Sequence, residues 1–290
     1  MLFRSLLKRK TLDSSFYGFA LTLIFVVLSF LNIYGLNDFG SKKTLDWLSN
    51  TFPYEKFYPE NSAAFVFVAI DDESIKQLGQ WPWPRQTIAR IIENLAKSKV
   101  AVIGIDVLFL ESDRYAPSEM ASSLGIPIDQ IKALKIPDGD RILGERLKQS
   151  PSVLTFSLSG DVNKEKKLAT SVIGLPSRFI VANDSSKNLL QVNSVDLPRT
   201  DINYSHGLGF VNALEEGGVI RGIPLLANYQ DQVLPSLSLE MLRVALNANN
   251  YVIRSSESGH GLQIKVGNLV IETNPEGDFL LHQGHASRFE

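Results

Sequence analysis

The chain has 290 residues, with 29 lysines and arginines against 31 aspartates and glutamates and a formal net charge of -2. Hydrophobic residues make up 44% of the chain, and cysteine is absent. This composition predicts a globular protein with a packed core and excludes disulfides and thiolate metal sites. The balanced charge, with no basic run among the aromatic residues, argues against nucleic-acid binding.

The N-terminal part predicts a membrane anchor. Residues 16–36 contain no ionisable side chain, and a helix of that length reaches roughly the 30 Å of a bilayer core. A cleaved signal peptide would have a shorter apolar region that ends at small residues, so we favour an anchor. We expect residues 37–290 to lie in the periplasm. Basic residues ahead of the anchor favour a cytoplasmic location for residues 1–15: Arg4, Lys8, Arg9 and Lys10.

A parallel strand–helix–strand unit is predicted after a neck at residues 37–61. Residues 63–70 form a continuous apolar run rich in valine and phenylalanine, which is typical of a strand buried on both faces. Apolar residues at helical spacing after Pro84 predict a helix to about Ser98. Residues 100–107 predict a second strand. The fold class is therefore α/β, with this unit in a mixed sheet.

Further helices and strands are predicted along the rest of the chain. Residues 111–140 are polar and rich in proline and glycine, which predicts loops. Helices are predicted at 141–148 and 237–246. Strands are predicted at 153–158, 179–181, 209–212, 222–229, 262–266 and 279–282.

Three aspartates are candidate site residues at one edge of the predicted sheet. Asp71 and Asp72 follow the first strand, and Asp106 lies at the end of the second. Ligands of open α/β sheets bind at that edge, and such carboxylates can hold Mg²⁺ for hydrolysis. We favour a structural alternative, in which Asp71 or Asp72 caps a short helix that begins at Glu73. Asp106 would then pair with an arginine such as Arg85.

The turn at residues 80–85, QWPWPR, contributes three more candidate ligand-binding residues. Trp81 and Trp83 can form an aromatic wall that, together with the Arg85 cation, suits an anionic or ring-bearing ligand. In the structural alternative, which we favour, the prolines stiffen the turn and the indoles cover the end of the sheet.

Motifs of enzymes and cofactor sites are missing from the sequence. There is no nucleophile elbow, phosphate-binding loop or dinucleotide fingerprint. The histidines lack the spacing of a zinc site: His206, His260, His282 and His285. We therefore expect neither a cofactor nor a metal, and no enzymatic activity.

Two stretches of the chain resemble the type-2 CHASE (CHASE2) domain, a bacterial extracytoplasmic sensor family. The first is FVFVAIDDESIKQLGQWPWPRQTIARIIENL followed by KVAVIGIDVLF, and the second is GLGFVNALEEGGVIRGIPLLANYQDQVLPSLSLEML. The resemblance extends from about Leu45 to the C-terminus. The chain departs from the family pattern in having Glu215-Glu216-Gly217-Gly218 where an Asp-Gly turn is usual. It also stops at Glu290, before the closing strand and helix that the family leads us to expect.

The resemblance implies a sensory module of a transmembrane receptor that detects an unknown extracytoplasmic ligand or protein. In the family, further membrane helices lead to a cytoplasmic cyclase, diguanylate cyclase or kinase, none of which is present in this sequence. The same analogy implies a homodimer. Two alternatives stay open, an exported metal-dependent hydrolase that uses Asp71, Asp72 and Asp106, and an envelope scaffold without a sensing role.

Overall fold

The computed structural model describes two compact units of the chain. One comprises Met1–Val66 with His282–Glu290, and the other Phe67–Leu281. The described residues are 14–30, 65–159, 178–182, 187–203, 205–213, 219–256 and 261–281, with single positions at 40, 43, 44, 47, 48, 51 and 215.

The first unit contains helix α1, Ser14–Phe30. Its large apolar side chains between Tyr17 and Val27 are exposed, and the Thr22 hydroxyl donates to the Gly18 carbonyl at 2.9 Å. Across the described residues, no helix has both the length and the apolar character needed to cross a bilayer. Residues 31–36 of the predicted anchor, and most of the predicted neck, lie outside the described residues.

The second unit contains helices that begin at recognisable caps. Asp71, Asp138 and Ser236 each accept a backbone N–H of the helix that follows, which satisfies donors that the first turn leaves unpaired. The helices are α2 (Asp72–Leu78), α3 (Arg85–Lys97), α4 (Pro117–Leu124), α5 (Ile128–Ala133), α6 (Gly139–Gln149) and α7 (Leu237–Ala245).

The strands of the second unit form several small sheets. They are β1 (Ile103–Ile105), β2 (Ser152–Ser159), β3 (Arg178–Val181), β4 (Leu190–Val192), β5 (Ser194–Asp196), β6 (Gly207–Phe210), β7 (Gly222–Pro224), β8 (Leu226–Tyr229), β9 (Gln232–Pro235), β10 (Asn250–Ser255), β11 (Leu262–Val266), β12 (Leu269–Thr273) and β13 (Asp278–Leu280).

Strand β2 is the centre of the main sheet. It pairs in parallel with β1, with Ile103 opposite Ser152, and in parallel with β6, with Val153 opposite Gly207. Its last residues pair antiparallel with β5. Since two parallel pairs flank β2, the predicted α/β class with a parallel unit is confirmed.

The remaining described strands form three further sheets. In one, β12, β11 and β10 are antiparallel neighbours, and β3 joins β10 in parallel. In another, β8 joins β4 in parallel and β9 antiparallel. Strand β7 pairs with β13. The predicted strand 222–229 is therefore two strands that belong to different sheets, separated at Leu225, whose N–H donates to the Gly277 carbonyl at 2.9 Å.

Two hydrophobic cores hold the second unit. The first gathers Leu154 and Phe156 of β2 with Ile92 of α3 and Leu143 of α6, all at most 2% exposed. The second includes Leu239 of α7 with Tyr251 and Ile264, each 0% exposed. Strand β2 is buried on both faces in the first core, as is usual for the central strand of a parallel sheet.

The predicted buried strand at 63–70 is wrong for the residues that the structure describes. Residues 65–71 have no regular secondary structure, and Val66 and Phe67 are 88% and 82% exposed. An apolar run becomes a buried strand only where neighbouring strands pair with it, and the observed parallel unit instead joins β1 to β2 through α4, α5 and α6. The predicted loops at 111–140 likewise contain α4 and α5.

Candidate functional site

A cavity of about 660 Å³ lies where the chain leaves the carboxyl end of β1. One wall is the turn before α3, and the other is the segment that follows β1. Four residues that the sequence analysis selected line it together: Trp81, Trp83, Arg85 and Asp106. This is the edge at which ligands of parallel sheets usually bind.

The two tryptophans have different environments in the cavity wall. Trp83 is only 4% exposed, and its Nε1–H donates to the Gly79 carbonyl at 2.7 Å. Trp81 is half-buried, and its ring meets that of Trp83 edge to face at 5.6 Å between centroids. Trp83 therefore belongs mainly to the core, whereas Trp81 is the more accessible of the two indoles that line the cavity.

Arg85 is the first residue of α3 and is 9% exposed. Its guanidinium carbon lies 4.4 Å from the centre of the Phe109 ring, and Nη2 donates to the Glu111 carbonyl at 3.3 Å. Nε lies 3.5 Å from Oδ1 of Asp140 but makes no hydrogen bond. The prediction that Asp106 pairs with Arg85 is therefore wrong, because the carboxylate that faces Arg85 is that of Asp140 in α6.

Two aspartates behind the wall connect α3 and α6. Asp113 Oδ2 accepts the Arg85 backbone N–H at 2.9 Å, and the Asp113 N–H donates to Asp140 Oδ2 at 2.9 Å. Burial raises the pKa of the Asp140 carboxyl, against the lowering effects of the Asp113 N–H and the Arg85 charge. This network fixes the position of Arg85 in the cavity wall.

Two further arginines border the same region. The Arg114 guanidinium lies 5.0 Å from the centre of the Tyr115 ring, and its Nη2 donates to the Pro82 carbonyl at 2.8 Å. Arg199 Nη1 donates to the Ser112 hydroxyl at 2.6 Å. Both arginines therefore hold the segment that forms the second wall of the cavity.

The remaining aspartate candidates do not form one cluster. Asp71 accepts the N–H and the hydroxyl of Ser74 at 2.8 and 2.6 Å, which lowers its pKa and makes it the cap of α2, as the structural alternative predicted. Asp72 is the first residue of that helix, and Asp106 is exposed in the cavity wall. Within the described part of the chain, no group of three or more metal-ligating side chains could hold an ion.

Asp113, Asp140 and Arg199 were missed by the sequence analysis. Asp113 and Asp140 fall in the stretch that was predicted to be loop, where neither periodicity nor a motif marks a residue as buried. The one pattern that the sequence offers here is an aspartate directly before a helix, as at Asp138. That signal identifies caps and does not identify the partner of Arg85.

A second buried ionic group joins α7 to β10. Arg243 Nη2 lies 2.7 Å from Glu240 Oε1, Glu240 is 0% exposed, and the Tyr251 hydroxyl donates to Glu240 Oε2. Arg243 also donates to the carbonyls of Ala248 and His206 at 2.9 and 2.8 Å. Burial and the neighbouring carboxylate raise the pKa of Tyr251. These contacts pair the buried charges of Glu240 and Arg243 within the interior and connect α7 to β10.

The sequence model of the CHASE2 domain matches residues 20–289, nearly the whole chain. The chain belongs to the CHASE2 family. No curated protein and no solved structure matches it. CHASE2 domains are extracytoplasmic sensor domains, so this chain is a sensory module.

Proposed function

We propose that this CHASE2 chain is the extracytoplasmic part of a bacterial transmembrane receptor that binds its stimulus in the cavity at the end of β1. The observation that carries the proposal is that Trp81, Trp83, Arg85 and Asp106 line one cavity, Asp106 from the wall that follows β1 and the other three from the turn before α3. A cavity of about 660 Å³ falls in the range of about 300–1,000 Å³ typical of small-molecule sites.

Signal transfer follows from the location of the cavity. One wall begins α3 and the other follows β1, so a ligand that contacts both favours one arrangement of these two segments. A ligand shifts an equilibrium between two states by its difference in affinity for them. In a receptor, that shift passes to a cytoplasmic output domain, and the family analogy adds that two copies act together.

The N-terminal segment supplies the proposed anchor. Residues 16–36 carry no ionisable side chain, and the basic cluster ahead of them favours a cytoplasmic N-terminus. Alkaline phosphatase fused after Leu281 in a Gram-negative host would test this topology. Activity in the intact fusion, and its loss when residues 16–36 are deleted, are expected. Fluorescence from a reporter that is fluorescent only in the cytoplasm, fused at the same site, would contradict the proposed topology.

The ligand site is tested by thermal unfolding of the full chain in mild detergent. Metals, nucleotides, small anions and aromatic metabolites form the panel. A ligand at about 100 times its Kd stabilises the folded state by about 2.7 kcal/mol, which raises the Tm by several degrees. We expect one saturable shift that Trp81→Leu abolishes and that Glu145→Gln, on the exposed side of α6, leaves unchanged. A shift that survives Trp81→Leu, or no shift at all, would contradict the site.

A further inference from the structure

The chemistry of the cavity wall identifies a class of ligand. Its acidic residues are Asp106, Glu111 and Asp113, and its basic residues are Arg85 and Arg114. Asp113 is 3% exposed, and its carboxylate accepts the backbone N–H groups of Arg85 and Tyr115 at 2.9 and 3.1 Å. The Asp113 carboxylate is therefore already paired with backbone donors of the protein, and we do not assign it to the ligand.

Asp106 and Glu111 are exposed acceptors in the wall. Throughout the described ranges, neither carboxylate takes part in a hydrogen bond or an ion pair. Carboxylates in this condition attract a cation, and an ammonium group can combine such a contact with the face of an indole. Trp81, half-buried in the opposite wall, is the more accessible indole that lines the cavity with them.

Arg85 supplies the opposite chemistry from the wall that precedes α3. Its side chain is 10% exposed and held in place by Asp140 and Phe109, yet only Nη2 of its guanidinium donates a hydrogen bond to a described residue. Nε is buried against Asp140, and Nη1 donates to no described residue. A guanidinium N–H without a protein acceptor can donate to a ligand, and the planar guanidinium matches a carboxylate in shape, so Arg85 favours a ligand with an acceptor group such as a carboxylate.

We propose that the cavity binds a zwitterion of the amino-acid class with an apolar or aromatic body. Its ammonium group lies against Asp106 and Glu111, its carboxylate faces Arg85, and its body packs on Trp81. Val107 and Leu108 complete the apolar part of the wall. This inference rests on the proposed function, since it assigns a ligand class to the same site.

The test compares an amino acid with two analogues that each lack one charge. Isothermal titration calorimetry of the full chain in mild detergent first identifies the tightest binder among the common L-amino acids. Its decarboxylated amine and its deaminated acid are then titrated, for example 2-phenylethylamine and 3-phenylpropionate in the case of phenylalanine. We expect each analogue to bind about tenfold more weakly or worse, because each lacks one charged hydrogen-bonding group.

Protein variants assign the ammonium group to its partners. Asp106→Asn combined with Glu111→Gln is expected to weaken amino-acid binding about tenfold or more while the deaminated acid binds within about twofold of its original affinity. Asp129→Asn, an exposed aspartate of α5 outside the cavity wall, is the matched control. Arg85 is tested through the ligand, because its removal would also leave Asp140 buried without a counter-charge.

The outcomes separate this inference from the proposed function. If the amine or the acid binds as tightly as the amino acid itself, the proposal of a zwitterionic ligand is wrong. The absence of amino-acid binding also contradicts it. If a ligand of another class then binds with dependence on Trp81, the proposed site stands without this ligand class. If no compound of either panel binds, both proposals fail.

Discussion

The Arg85 guanidinium and the Asp140 carboxylate face each other in the interior, with Nε 3.5 Å from Oδ1 and side chains 10% and 6% exposed. Each residue lies in the first turn of its helix, so the pair joins α3 to α6 directly beside the cavity. The sequence does not reveal this pair, because nothing in the spacing of the two residues connects them.

Asp140→Ala is expected to lower the free energy of unfolding by about 3–5 kcal/mol, since it leaves Arg85 as a buried charge without its counter-charge. Urea unfolding followed by circular dichroism measures the loss. The control is Glu145→Ala, which removes an exposed ion pair with Arg141 on the same helix and should cost at most about 0.5 kcal/mol. Similar losses in the two variants would show that burial does not govern the Arg85 pair.

Tyr251→Phe is expected to destabilise the protein by about 1.5–3 kcal/mol, because Glu240 loses a hydrogen-bond donor in a buried position. Tyr229→Phe is the matched control. Tyr229 is also buried, at 3% exposed, but its hydroxyl donates no hydrogen bond to a described residue. Equilibrium unfolding of both variants should separate them clearly. A loss for Tyr229→Phe as large as that for Tyr251→Phe would contradict the assigned role of Glu240.

The Asp201 carboxylate should contribute stability only above acidic pH. Arg199 donates to it at 2.9 and 2.5 Å, which lowers its pKa from an ordinary value of 3.8. Below that value the unfolded state binds more protons than the folded state, so this contribution is complete above pH 3.8 and is lost as the pH falls through the folded pKa. With the Asp201 side chain 49% exposed, the contribution at pH 7 is at most about 1 kcal/mol.

Thermal unfolding of the original protein and of Asp201→Asn over a range of pH measures this contribution. The two proteins should differ near neutral pH and converge in acid. Arg199→Gln should cost more than Asp201→Asn, because it also removes the hydrogen bond to Ser112. Adding Asp201→Asn to Arg199→Gln should cost little more, because the pair is already broken. A constant difference across the whole range would show that the effect of Asp201→Asn is not electrostatic.

The apolar run before α2 is exposed in the structure, whereas the sequence pattern predicts a buried strand there, and two substitutions distinguish these possibilities. Val68 is 57% exposed, so Val68→Ala should change the free energy of unfolding by at most about 0.5 kcal/mol. Ile105→Ala, in β1 at 8% exposed, should cost about 2–5 kcal/mol. Comparable losses at both positions would mean that Val68 packs in a sheet, as the sequence pattern predicts.

Local sequence patterns predicted some elements closely. The helix predicted at 141–148 is α6, Gly139–Gln149, and the strand predicted at 153–158 is β2, Ser152–Ser159. Both have strong apolar periodicity, and the aspartate at 138 caps the helix. The strands β4, β5, β9, β10 and β12 were missed, since their pairing partners, more than their own residues, make them strands.

The sequence by itself determined the family and the α/β class, and it selected four of the residues that line the cavity, because these depend on short ordered motifs and on local periodicity. Tertiary structure alone decided which charges meet. Asp140 became the partner of Arg85 because α3 packs against α6, and Asp106 was left exposed at the cavity. An ion pair depends on the distance between two side chains in space, and the order of residues along the chain does not specify that distance.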